Sequence, residues 1–428
     1  MTSLRVRIGV LGIALFAGAL APTSAHATTA APSPTVEEQR LDKAVPQEIL
    51  RRSGFDDVAP EFTRALGGAH SYAQARRIVV REGSALWRRA VDRAQGRGPA
   101  ESRRREALPL KGGGGRRVGL SRDDDRPLYW ARLGMTREVR TWEPGFGVND
   151  TQRGALLDVL ERTSRGQRDL RFPGGHMKRI LLTGFDPFTL DRDIRISNPS
   201  GASALALDGT VIQTDEGPAR VETAVFPVRW DDFEQGTVER TLRPYLPKVD
   251  LFTTVSQGRI GRFDVERTNG AWRGGYPDNE NLSRTGTVPV TDPASLPQWT
   301  TTTLPYAAIV AASTGRFPVY DHTEVTEIPA GGTDPVVRAD GPTAGSTARA
   351  GGGGNYLSNE IAYRATLLRD RLGLHDTLPG GHVHTPVLEF GAGNTTEVTD
   401  PDFVRNRVDI IDQVRAIVTV AADASFRD

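Results

Sequence analysis

Three observations predict an α/β fold with a mostly parallel sheet for the larger part of this 428-residue chain. From Lys178 onward, short apolar runs alternate with segments of helical periodicity. Several of the apolar runs, such as 179–183 ending at Gly184, are too short for helices and too uniformly apolar for a half-exposed strand. Asn198 followed by Pro199 is a helix start, with the side chain as N-cap and proline in the first turn. Parallel strands need helical crossovers, so the alternation reads as a three-layer α/β/α sandwich. A smaller helical region, 28–177, precedes it.

The first residues have the layout of a secretory signal: Arg5 and Arg7, an apolar run over 8–20, and Ala25-His26-Ala27 as the cleavage site. Residues 1–27 are therefore expected to be removed, leaving a secreted, soluble chain that starts near Thr28. The apolar run is short for a bilayer span, and no membrane association is expected. The chain has no cysteine, so an exported product gains nothing from disulfides and must be held by packing.

Within 28–177, residues 37–43, 46–52, 72–94 and 151–163 carry apolar residues at helical spacing. Residues 111–117 contain four consecutive glycines and read as a flexible linker. They lack the Gly-Lys-Ser/Thr ending of a phosphate-binding loop. Arg103-Arg104-Arg105 and Arg116-Arg117 have no interleaved aromatic residues, and the net charge is only +1. They read as a solvated face, and no nucleic-acid partner is expected.

From 178 the predicted order is a strand at 179–183, a helix to 207, a strand at 221–228, a helix at 231–242 and a strand at 250–255. Helices at 304–312 and 359–372, a strand at 383–388 and a long amphipathic helix at 402–422 complete it. Residues 331–354, rich in Gly, Thr, Pro and Ala without a period, read as a long surface insertion. A 38% hydrophobic content supplies a core for such a domain.

Active sites of these sheets lie at the carboxyl ends of strands. Five segments fall there or at a helix start: Gly184-Phe185-Asp186-Pro187-Phe188, Ser256-Gln257-Gly258, Phe263-Asp264-Val265-Glu266-Arg267, Tyr356-Leu357-Ser358-Asn359 and His382-Val383-His384-Thr385-Pro386. A serine hydroxyl needs a base, and Glu266 with His384 can form a relay to Ser358. Taken alone, Ser358 reads as the N-cap of the helix that follows. His382 and His384 share one face of a strand, but a metal site would need a further ligand, such as Asp321-His322 or His375. No spacing completes a first shell, so neither a metal nor another cofactor is expected.

In this order, and with Tyr276-Pro277-Asp278-Asn279 following Glu266, the segments resemble the pyroglutamyl peptidases (pyrrolidone-carboxylate peptidases) over 178 to about 425. The opening Lys178-Arg179-Ile180-Leu181-Leu182-Thr183-Gly184-Phe185-Asp186-Pro187-Phe188 is the most specific part. The resemblance implies a Glu266–Ser358–His384 triad, with Phe185, Phe188 and Gln257 holding the pyroglutamyl ring of a peptide substrate. An aromatic sandwich for the ring face and one amide side chain for the lactam C=O and N–H suit such a ligand. Arg273 stands near the position of a family arginine and is a weak candidate for the oxyanion. The family nucleophile is cysteine, and here the position holds Ser358. Two outcomes follow: a serine hydrolase with His384 as general base, or an inactive relative that keeps the lactam or peptide pocket.

Overall fold

The computed structural model describes residues 33–97, 119–172, 174–291 and 296–426. The predicted leader at 1–27, the glycine run at 111–117 and the arginine clusters at 103–105 and 116–117 lie outside the described residues. Ser33–Asp428 forms one compact unit.

The N-terminal part is helical: α1 Val36–Arg40, α2 Ala44–Ser53, α3 Val58–Gly67, α4 Tyr72–Ala94, α5 Arg126–Thr141 and α6 Asp150–Thr163. Local chemistry sets the starts. Thr35 with Glu38, and Asn149 with Gln152, form capping boxes, and the Ser71 side chain accepts from Gln74 N–H. Helix α5 was not foreseen, because its sequence carries arginines on the side that becomes buried, including Arg126 and Arg132.

The strands are β1 Lys178–Phe185, β2 Val211–Thr214, β3 Gly217–Phe226, β4 Leu251–Gln257, β5 Phe263–Glu266, β6 Thr268–Gly270 and β7 Trp272–Gly274. They continue with β8 Thr285–Thr287, β9 Trp299–Thr301, β10 Val319–His322, β11 Val325–Ile328, β12 Val336–Arg338, β13 Thr347–Ala350 and β14 Gly380–Thr385. The main sheet has seven strands in the order β10-β5-β14-β4-β1-β3-β2. Strands β3, β1, β4 and β14 run parallel, whereas β2 and the β5–β10 pair run against them.

The remaining helices are α7 Pro199–Leu207, α8 Trp230–Glu234, α9 Thr237–Leu242, α10 Tyr306–Ala311, α11 Leu357–Arg371 and α12 Pro401–Ser425. Alternation along β1 sorts them into layers. Ile180 and Leu182 pack with α7, α10 and α12, while Leu181 and Phe185 pack with α8, α9 and α11. This is an α/β/α sandwich with a mostly parallel sheet. The helical N-terminal part is fused to it, since Trp87, Val91 and Leu160 belong to the same core cluster as Ile180, Leu205 and Val221.

Two predicted elements differ. The helix expected over 231–242 is split into α8 and α9, because Gly236 adopts a left-handed conformation with φ 74°. The segment expected as a structureless insertion contributes β12 and β13 to a three-stranded antiparallel sheet around β11. Buried Glu327 organises it, accepting from Thr343 N–H at 2.6 Å, Thr343 Oγ1 at 2.7 Å and Arg338 Nε at 2.9 Å.

Candidate active site

The carboxyl ends of β1, β4 and β14 bring Phe185, Gln257 and His384 to one edge of the sheet. Register then adds the carboxylate. Because β5 is antiparallel to β14, its last residue Glu266 faces His382, two positions from His384. Because β5 is parallel to β10, Glu266 also lies beside His322. Glu266 Oε1 accepts from His384 Nδ1–H at 2.6 Å, and Oε2 accepts from His322 Nδ1–H at 2.6 Å.

Glu266 is fully buried. Burial alone would raise its pKa, but the two imidazole hydrogen bonds outweigh that and hold the carboxyl down at about 2. An ionised Glu266 fixes His384 in the Nδ1–H form, which leaves Nε2 as the basic nitrogen. Among the described residues, Nε2 makes no hydrogen bond.

Glycines make room for this arrangement. A Cβ on Gly352 would stand 2.1 Å from Glu266 Oε2, and one on Gly258 would stand 2.6 Å from the His384 Cβ. A Cβ on Gly353 would meet His384 Cε1 at 3.2 Å. Gly352 and Gly353 are therefore a close-fitting wall over the Glu–His pair.

Ser358 is the second residue of α11, not its cap. The N-cap is Tyr356, which makes no side-chain capping bond, so the first-turn N–H groups keep that end open. Ser358 Oγ donates to the Gly353 carbonyl at 3.1 Å. Ser358 and His384 share no hydrogen bond.

Phe185, Phe188, Gln257 and Ser358 all line one cavity of about 280 Å³, open mouth included. Gln257 Oε1 is buried there with no hydrogen-bond partner among the described residues. Tyr356, absent from the expected set, is a wall residue whose ring lies 6.0 Å from that of Phe188 and edge-on to Trp230 at 5.2 Å. It stood within the motif that carried Ser358, so sequence position alone could have marked it.

Arg273 does not reach the cavity. Its Nε and Nη2 donate to Glu360 at 2.6 Å each, and Nη1 donates to Glu234 at 2.7 Å. Its guanidinium is therefore consumed in a buried ion network beneath α11, in place of the oxyanion role expected for it. His322 was the residue most worth adding. It was noticed only as a possible metal ligand, whereas here it grips the second oxygen of Glu266. Among the described residues, no group of three or more His, Asp or Glu side chains could hold a metal ion.

The helical region supports the cavity from behind. Asp186, between the two pocket phenylalanines, is gripped by Arg132 and Arg165. Asn279 donates to the Pro187 carbonyl at 2.9 Å and to Glu37 of α1 at 3.0 Å. Asn198, which lines the cavity, has its backbone N–H bound to Asp125 at 3.0 Å, and its side chain donates to the Asp186 carbonyl at 2.9 Å.

Comparison with known structures finds a mutant pyrrolidone carboxyl peptidase from Pyrococcus furiosus at 22% identity and TM-score 0.39, covering 57% of this chain and 99% of that one. Pyroglutamyl peptidase I of Bacillus amyloliquefaciens aligns at 21% identity and TM-score 0.40, over 58% of this chain and 98% of that one. The pyrrolidone carboxyl peptidase of Thermococcus litoralis aligns at 20% identity and TM-score 0.40, over 59% and 97%. Residues 19–161 match the family model described as PA0049 N-terminal domain, and residues 179–293 and 319–389 match that of the PA0049 C-terminal domain. The uncharacterized protein PA0049 of Pseudomonas aeruginosa is 32% identical over an alignment 509 positions long, gaps included, covering 91% of this chain and 89% of that protein. The chain belongs to the PA0049 family.

Proposed function

We propose that this protein is a pyroglutamyl-peptidase-like hydrolase, exported by its leader, that removes N-terminal pyroglutamate through Ser358. The observation that carries the reading is the Glu266–His384 pair, together with a cavity lined by Ser358 in which Gln257 Oε1 has no partner among the described residues. A lactam N–H satisfies that oxygen, the Gln257 amide N–H₂ donates to the lactam C=O, and Phe185 and Phe188 cover the ring.

In this reading Ser358 turns from the Gly353 carbonyl toward His384 Nε2. Its oxygen attacks the scissile carbonyl as the proton passes to Nε2, and Glu266 stabilises the imidazolium. The uncapped N–H groups of the first turn of α11 receive the oxyanion. His384 gives the proton to the leaving amine, and water activated by His384 then releases pyroglutamate from the acyl-enzyme.

A second reading is favoured by one contact. Ser358 Oγ is engaged by Gly353 O rather than His384, which suits a relative that binds blocked peptides without cleaving them. Hydrolysis of a chromogenic pyroglutamyl amide by the wild type, Ser358→Ala and Ser358→Cys separates the two. The enzyme reading expects wild-type turnover and a loss of about a thousandfold or more in Ser358→Ala. Activity only in Ser358→Cys supports the binding reading, and no activity in any form refutes the peptidase assignment.

A further inference from the structure

The cavity holds a second serine–histidine pair that the proposed reaction does not use. Ser256 lines the cavity beside Gln257, and its Oγ lies 2.9 Å from His382 Nε2. His382 Nδ1 lies 2.7 Å from Thr254 Oγ1, and the Thr254 hydroxyl donates to the Gly381 carbonyl at 3.3 Å. One arrangement of the protons makes all three contacts at once. With its own hydrogen on Gly381, Thr254 accepts from His382 Nδ1–H, so Nε2 accepts from the Ser256 hydroxyl.

Nucleophilic use of Ser256 is disfavoured by what surrounds His382. That ring is fully buried, and burial, then the neighbouring His384, push its pKa well below the ordinary histidine value. Its Nδ1 meets a hydroxyl and not a carboxylate, so an imidazolium there would lack a counter-charge in contact. The pair is therefore a rigid hydrogen-bonding post. Ser256 has then spent its only proton on His382 and makes no other hydrogen bond among the described residues, which leaves its lone pairs unbonded.

Resting on the lactam reading of this cavity, we propose that Ser256 is a specificity-determining residue that accepts a hydrogen bond from the ligand's ring. A simple lactam has one N–H, and the Gln257 oxygen already takes it. Ser256 adds a second acceptor in the same space. The favoured ligands are then five-membered lactam rings that carry a further N–H or O–H donor, such as a cyclic ureide or a ring-hydroxylated pyroglutamyl group. An apolar wall would have served a plain lactam without burying three polar side chains.

Calorimetric titration of the full chain with free ring acids tests this without requiring turnover. The probes are pyroglutamate, 2-oxoimidazolidine-4-carboxylate and 4-hydroxypyroglutamate. At least one donor-bearing ring is expected to bind the wild type about tenfold tighter than pyroglutamate, the worth of one well-made hydrogen bond. Ser256→Ala should abolish that preference. ¹⁵N spectra of the wild type should show His382 in the Nδ1–H form, and an Nε2–H form overturns the inference. A preference that is absent in the wild type, or that survives in Ser256→Ala, overturns the inference and leaves the peptidase reading standing. Failure of the wild type to bind any ring overturns both.

Discussion

Replacing Asp186 by asparagine would strip the shared counter-charge from two buried guanidiniums and so test how the helical region holds the pocket. Asp186 Oδ1 accepts from Arg132 Nη2, and Oδ2 accepts from Arg165 Nε at 3.0 Å and Nη2 at 2.8 Å. The arginine side chains are 0% and 1% exposed and come from α5 and the turn after α6. Burial, then the charge of Arg132, already depress the Arg165 pKa to about 10, so repulsion between the two is substantial even with Asp186 in place. Breaking a buried pair typically costs about 3–5 kcal/mol, and Glu161, which also pairs with Arg165, keeps the expected loss near about 3 kcal/mol at pH 7. Against a domain stability of about 5–15 kcal/mol, this is large.

Urea unfolding followed by circular dichroism reads it as a lower midpoint at unchanged slope. The sign with pH is fixed. Burial would raise the Asp186 pKa, but Arg132 and Arg165 hold it below its ordinary value of 3.8. The stabilisation is complete above that value and is lost as pH falls through the lowered one, so wild type and variant should converge in acid. Adding Arg132→Met to Asp186→Asn should recover about 1 kcal/mol or more, because one uncompensated charge is gone. A loss below about 1 kcal/mol at pH 7, or strict additivity in the double variant, would refute the reasoning.

Three further outcomes are expected. Glu266→Gln offers one acceptor to two Nδ1–H groups, so kcat on a pyroglutamyl amide should fall about a thousandfold or more with little change in KM, and its stability deficit should close as pH drops from 4.5 toward 2. Gly352→Ala forces a Cβ to within 2.1 Å of Glu266 Oε2, and the downfield imidazole N–H resonances of His322 and His384 should shift or vanish; an unchanged spectrum would contradict the close-fitting wall. A chain cut to begin at residue 177 should lack cooperative unfolding and bind hydrophobic dye, since it uncovers the face of the sheet layer that packs on α4 to α6; a cooperatively folded fragment would show the helical region to be a separable accessory.

The sheet was legible because a fully buried parallel strand announces itself as a short apolar run, as at 180–182, and because Asn198-Pro199 can start a helix almost anywhere it occurs. The ordered pocket segments were legible for a related reason: backbone turns at strand ends and residues that touch a ligand tolerate few alternatives, so they recur as local strings. Helix α5 failed the same test. Arg126 and Arg132 are fully buried in it, and a periodicity argument places arginine on the water side unless the partner is known. Asp124, two residues before Arg126, is buried with it, and the partner of Arg132 is Asp186, just past the end of β1. Arg273 was misread likewise, because nothing near it in sequence indicates that Glu360 would take both of its forks.

By itself, the sequence determined the α/β layering, the glycine-and-aromatic edge of the pocket and the Glu266–His384 pairing, since these depend on hydrophobic period and local strings. Tertiary structure alone decided three other things: that His322 completes Glu266, that Ser256 is tied to His382, and that the N-terminal helices form the rear support of the site. Each depends on strand register or on charge pairing across many residues, as between His322 and Glu266 on β10 and β5. Such contacts are set by global packing, because a carboxylate or imidazole can be buried only where the fold has already delivered its partner.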